Sequence, residues 1–265
     1  MGIRAHFHAV VYAVQNDGRR SIQDLARATR DELALALRDA ATMHEDEALA
    51  ILDNPFATPQ HLGKIAQTAR LTGFYSVRVR LVAHRQTPQA HAVKLVHYLY
   101  WFDLVRLSVD VQVPAPVRRA IDTQLVNRAD KLSLGERVSS ARRCSHALVK
   151  VFLYDPNPLV FEALLVSKRL REDDLLALIA SHRATREQLQ MIAADMKWSY
   201  RYAVRKALVL NPDTPRAAAA SQLRYLTRRD LAAIYANPGT STYLRRCIER
   251  LAAGSSLTPH HSSLG

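Results

Sequence analysis

The chain has 265 residues, 48% of them hydrophobic and 23% charged, with only 8 glycines. That balance excludes a disordered or collagenous chain and a glycine-turn-rich β-sandwich, and the length suffices for a core without covalent staples. Against 24 Asp and Glu stand 37 Lys and Arg, a net charge of +13, so the surface attracts polyanions and acidic partners over about a Debye length.

From the N-terminus, Met1-Gly2-Ile3-Arg4-Ala5-His6 lacks the hydroxyl residue that a myristoylation signal needs, and the apolar stretch at 9–14 is too short for a secretory signal core. No apolar run approaches the roughly eighteen residues that span a bilayer. Cys144 and Cys247 are the only cysteines, too few and too distant for a disulfide framework or a thiolate metal site. A reducing, cytoplasmic location is the expectation. Residues 1–44 are net acidic and match no repeat, so they are expected to form a helical cap. A capping box, Thr29-Arg30-Asp31-Glu32, starts one of its helices.

From residue 45 onward, apolar-periodic runs alternate with punctuation of one kind. Asn54-Pro55 with Thr58-Pro59, Gln86-Thr87-Pro88, Asp155-Pro156-Asn157-Pro158, Asn211-Pro212 with Thr214-Pro215, and Asn237-Pro238 with Thr240-Ser241 each end one helix and begin the next. Pro cannot continue a helical ladder and disfavours helix for the residue before it, yet suits the first helical position after a capping hydroxyl. Ser133-Leu134-Gly135-Glu136 adds a second capping box. Starts recur about every 26–30 residues, which predicts short helix pairs stacked side by side. No strand alternation is present. Residues 254–265 lack an apolar period and are expected to be a frayed tail.

Sliding the sequence by 127 residues aligns 77–121 with 204–248 without a gap, at 15 identities in 45 columns. Val77, Arg78, Leu81, Tyr98, Leu99, Asp103, Leu104 and Ile121 recur as Val204, Arg205, Leu208, Tyr225, Leu226, Asp230, Leu231 and Ile248, so the segment is duplicated. A weaker copy at an offset of 71 places Leu170, Asp174, Leu175 and Ile192 on Leu99, Asp103, Leu104 and Ile121.

The recurring Val-Arg-x-x-Leu-Val unit with its Asn-Pro and Thr-Pro punctuation resembles the bacterial leucine-rich-repeat-variant and HEAT-like helical repeats across roughly 45–253. The resemblance implies an all-α protein, an α-solenoid of stacked short helix pairs in a right-handed superhelix. It also implies a concave binding surface and no intrinsic catalysis. Some variant-repeat proteins carry a cysteine-ligated iron–sulfur cluster, which two distant cysteines cannot supply, so no cofactor is carried over.

No Gly-rich phosphate loop, nucleophile elbow or His-Glu-x-x-His set occurs, so no catalytic or metal residue is assigned. Acidic runs at 45–47 and 172–174 read as helix starts. Residues 1–60 carry 6 basic and 9 acidic side chains, residues 61–150 carry 15 and 5, and residues 151–265 carry 16 and 10. The positive field therefore belongs to the repeats. Arg78, Lys150 and Arg205 sit where HEAT-like units pair an Arg with an Asp of the neighbouring repeat. The doublets Arg118-Arg119 and Arg245-Arg246 cannot both serve one ladder, because adjacent helical residues point about 100° apart. With Arg80, Arg142 and Arg143 they form a candidate basic stripe.

Tyr100-Trp101-Phe102 stands where the other copies have Thr227-Arg228-Arg229 and Arg171-Glu172-Asp173. These rings are either core beneath the N-terminal cap, the favoured reading, or a partner-contact surface. Trp198, aligned with Leu71, is expected in the core. Together these features predict a non-catalytic interaction protein whose basic concave face engages an acidic protein partner. The alternative is nucleic-acid binding, including a likeness to HEAT-like alkylpurine DNA glycosylases.

Overall fold

The computed structural model describes residues 21–255 apart from His182. Among these residues every regular element is helical. The helices divide between two compact units, the first ending at Arg128 and the second starting at Ala129.

The first unit contains α1 (Ile22–Arg27), α2 (Arg30–Ala36), α3 (Glu45–Asp53), α4 (Pro59–Gln67), α5 (Ala69–Gly73), α6 (Tyr75–Ala83), α7 (Gln89–Val96), α8 (Trp101–Ser108) and α9 (Ala115–Arg128). The second contains α10 (Leu134–Ala141), α11 (His146–Phe152), α12 (Pro158–Leu165), α13 (Glu172–Ala180), α14 (Arg186–Ala194), α15 (Met196–Ser199), α16 (Tyr202–Leu210), α17 (Arg216–Leu223), α18 (Arg228–Ala236) and α19 (Thr242–Ser255). Most are under three turns long, too short to persist alone in water, so packing holds them.

That packing skips alternate helices. In the first unit α1 lies on α3 and α3 on α6, while α4 lies on α7 and α7 on α9. In the second, α10, α12, α14, α17 and α19 lie each on the next, and α13 lies on α16. Chain-adjacent pairs such as α6 with α7 and α16 with α17 close the hairpins. The core between the rows is mainly aliphatic. Leu33, Ile51, Leu62, Leu81 and Leu104 are fully buried in the first unit, as are Phe161, Leu175, Leu189 and Leu208 in the second. Each such side chain contributes about 1.5–3 kcal/mol of transfer free energy.

The duplication is larger in structure than in sequence. α3, α4, α6, α7 and α9 start and end 127 residues before α13, α14, α16, α17 and α19, so the shared helical register covers 45–128 and 172–255. Burial carries it further back: Leu25, Leu33, Ala36, Leu37 and Met43 are buried, and so are Phe152, Val160, Ala163, Leu164 and Leu170 at the same offset. Core positions resist change because a lost methylene leaves a cavity. The expected N-terminal segment thus has, over its described part, the burial pattern of a repeat; residues 1–20 and the tail from 256 lie outside the described residues.

The Asn-Pro punctuation acts as follows. Asn54 ends α3, its amide donates to the carbonyls of Leu25 and Ala28 at 2.8 and 2.9 Å, and its Oδ1 accepts from Phe56 N–H at 2.7 Å. Asn211 ends α16 in the same way, donating to Ile179 O and accepting from Asp213 N–H. One side chain thereby closes its own turn and ties it to the preceding helix row. Both capping boxes form, at Thr29 with Glu32 and at Ser133 with Glu136. Thr87 and Thr214, read as caps, do not cap: the backbone stays extended through Pro88 and Pro215, and each helix starts one residue later. Their hydroxyls are buried without a hydrogen-bond partner.

Candidate partner-binding loops

The α6 helix begins with Tyr75, and its hydroxyl reaches the start of α8. It accepts from the Tyr100 N–H at 3.0 Å and donates to Asp103 Oδ2 at 2.6 Å. Tyr202, the first residue of α16, repeats both bonds, accepting from the Thr227 N–H at 3.1 Å and donating to Asp230. At the offset of 71, His146 Nε2 lies 3.1 Å from both Asp174 oxygens. Burial and the Asp103 carboxylate push the Tyr75 phenol up to about 12. The Tyr202 hydroxyl and then Lys206, 2.9 Å away, hold Asp230 below the usual carboxylate range. In every copy the acid also sits in the first helical turn, where the backbone dipoles favour it.

Each clasp holds the last residue of a short turn, Tyr100 or Thr227, and the acid in the first turn of the helix that follows, so the segments 97–103 and 224–230 run from that turn into α8 and α18. Within these segments, Leu99 and Leu226 are buried anchors. Tyr98 and Tyr225 are exposed in both units, and the other positions differ in chemistry: His97, Tyr100, Trp101 and Phe102 against Arg224, Thr227, Arg228 and Arg229. Tyr100 is 68% exposed and Phe102 74% exposed, with Trp101 half-buried. The expectation that these rings are covered core is therefore corrected for Tyr100 and Phe102. Tyr100 covers part of its face by stacking on Tyr75, ring centroids 4.3 Å apart. Trp198 is buried, and its indole N–H donates to Leu165 O at 3.0 Å.

The expected Arg–Asp ladder is also corrected. Arg78 lies over the Tyr75 ring and reaches Gly73 O, and Arg205 Nε donates to Ser199 O. The ring of Tyr225 lies 3.9 Å from the Arg205 guanidinium and that of Tyr200 at 5.7 Å, while Arg224 approaches Tyr225 at 4.9 Å. Asp103 is held instead by Tyr75 and Arg106, and Asp230 by Tyr202 and Lys206. Lys150 is exposed.

The remaining stripe residues divide between the units. In the first, Arg80 pairs with Asp53, Arg118 is half-buried and Arg119 is exposed. In the second, Arg142 and Arg143 are exposed beside α10, Arg245 donates to the carbonyls of Asn237 and Pro238 at 2.9 and 3.4 Å, and Arg246 is exposed. Each doublet therefore turns one guanidinium inward and one to solvent. The tyrosine clasps, the Tyr200–Arg205–Tyr225 stack and Arg224 were not singled out from sequence. The recurrence of Tyr75 with Asp103 as Tyr202 with Asp230, and of Tyr98 as Tyr225, was the available signal.

Among the described residues no three His, Cys, Asp or Glu side chains gather into a metal-ligand set, and no helix is long and apolar enough to cross a membrane. Compared with protein-family models, curated proteins and solved structures, the chain matches none.

Proposed function

We propose that this is a non-catalytic interaction protein, a right-handed α-solenoid of HEAT-like or leucine-rich-variant repeats acting in the cytoplasm, that binds an acidic protein partner through its arginines. The observation that carries the reading is the pair of clasped loops. One scaffold, with the same Tyr–Asp bond and the same buried leucine, displays rings in one unit and three arginines in the other. Variation confined to outward positions over a fixed frame suits recognition, and Tyr, Trp and Arg are the residues that dominate binding energy at protein interfaces. Arg119, Arg142, Arg143 and Arg246 add long-range attraction.

Nucleic-acid binding is the second reading, favoured by Arg205 lying between the rings of Tyr200 and Tyr225, an arrangement on which bases also stack. Titration of the full chain with polyglutamate, single-stranded RNA and duplex DNA over a salt series separates the two. Polyglutamate binding that Arg228→Ala and Arg229→Ala together abolish supports the first reading. Selective, salt-steep RNA or DNA binding with polyglutamate inert overturns it.

A further inference from the structure

Among the described residues of the second unit, an open groove of about 1050 Å³ lies between α18 and α19. Its apolar lining includes Leu226, Leu231, Ala232, Ile248 and Leu251. The duplication supplies a comparison within the chain. At the same register the first unit has Leu99, Leu104, Val105, Ile121 and, against Ala252, Leu125, all of them buried. In the groove Ala232 and Ala252 are exposed and Leu231 and Leu251 half-buried. Val105 and Leu125 have thus become alanines and Gln124 a leucine, which removes volume from the face and makes it more apolar.

The rim is basic. Arg224 and Arg228 stand on it, and a shallower depression sharing Arg224 and Leu251 continues to Arg250. The one carboxylate on the groove, Glu249, accepts from the Tyr235 hydroxyl at 2.8 Å. A small molecule is a poor fit, because the space is open rather than enclosing. A surface of this shape between two helices receives a third helix, through apolar side chains spaced i, i+3, i+4 and i+7.

We infer that the α18–α19 groove is a docking site for an amphipathic helix of the partner, one whose apolar stripe is flanked by acidic residues that meet Arg224, Arg228 and Arg250. The inference rests on the acidic-partner reading and gives that partner a secondary structure and a place.

The test is fluorescence anisotropy of the full chain with a labelled synthetic helix carrying leucines at that spacing and glutamates on both flanks, beside a twin with lysines in place of the glutamates. Ala232→Trp fills the groove at an exposed position, and Arg228→Glu reverses the rim; thermal melting confirms that both variants fold. The glutamate helix is expected to bind, to lose at least about tenfold in affinity to each variant, and to outcompete the lysine twin. Equal binding of the twin, unchanged binding to Ala232→Trp, or no binding of the glutamate helix overturns the inference. Single-stranded RNA displaced by Ala232→Trp while the peptide is inert overturns it in favour of a nucleic acid. If polyglutamate still binds the full chain when the glutamate helix does not, the groove assignment falls and the acidic-partner reading stands. If polyglutamate does not bind either, both fall.

Discussion

The hydroxyl of Tyr75 donates to the carboxylate of Asp103 across 2.6 Å, joining the first residue of one helix to the third residue of another. Tyr202 and Asp230 make the same bond 127 residues later. Removing it by Tyr75→Phe or Tyr202→Phe is expected to cost about 0.5–1.5 kcal/mol each, since water replaces part of what is lost. Urea unfolding measures this. A double variant as stable as the wild type would reduce the clasp to a surface contact.

The same bond sets an alkaline limit. The folded Tyr75 phenol lies at about 12, above its ordinary 10.0, so its contribution to stability is complete below pH ~10 and is lost as pH rises toward 12. Melting temperatures across that window should fall less steeply in Tyr75→Phe. At the acid end the sign reverses. Asp230 is held below the ordinary 3.8, so its contribution is present above that pH and is lost as pH falls through the folded value.

Trp198 and Phe102 should separate core from display. Trp198→Ala leaves a cavity and an unpaired Leu165 carbonyl and is expected to cost on the order of 3–5 kcal/mol. Phe102→Arg, which copies Arg229 of the second unit, should change stability by no more than about 0.5 kcal/mol because the ring is exposed. Differential scanning calorimetry of both variants decides the matter. A large loss in Phe102→Arg would return the ring to the core.

The arginine doublets should behave asymmetrically. Arg246→Ala removes an exposed charge, worth about 0–1 kcal/mol to stability, and is expected to act on partner binding. Arg245→Ala frees the carbonyls of Asn237 and Pro238 and is expected to loosen the turn before α19. Hydrogen exchange at 237–241 reports this. Faster exchange in Arg246→Ala than in Arg245→Ala would reverse the assignment.

Burial pushes the Cys144 thiol up to about 11, so at neutral pH it is not a thiolate and should resist alkylation until the chain unfolds. Half-buried Cys247 should react first under native conditions. Mass spectrometry of iodoacetamide-treated protein checks the order. Native-state labelling of Cys144 ahead of Cys247 would contradict it.

Leu81 with Leu208 and Ile121 with Ile248 were legible as core because burial repeats with the helical period, and the helix ends were legible in Asn54, Asn211 and Ser133. Tyr75 and Asp103 were not readable as partners. They lie 28 positions apart, on helices separated in the chain by α7, and meet only once the fold brings the starts of α6 and α8 together, which no local pattern encodes. The fate of Thr87 and Thr214 depended on a single torsion at the following proline, below the resolution of residue type. The groove beside Ala232 was invisible for a related reason: an alanine in a helix reads as a good helix former, and only its buried counterpart Val105 shows that volume has been removed.

The twin clasps separate what a loop must be from what it can carry. With Tyr, Leu and Asp fixing the backbone, the exposed side chains of His97, Phe102, Arg228 and Arg229 are released from duty to the fold, much as the framework of an antibody releases its hypervariable segments. The arginine segment at 224–229 and the aromatic segment at 97–102 carry such positions at the same register. Randomising the outward positions of either would give a binding library on a backbone that tolerates it.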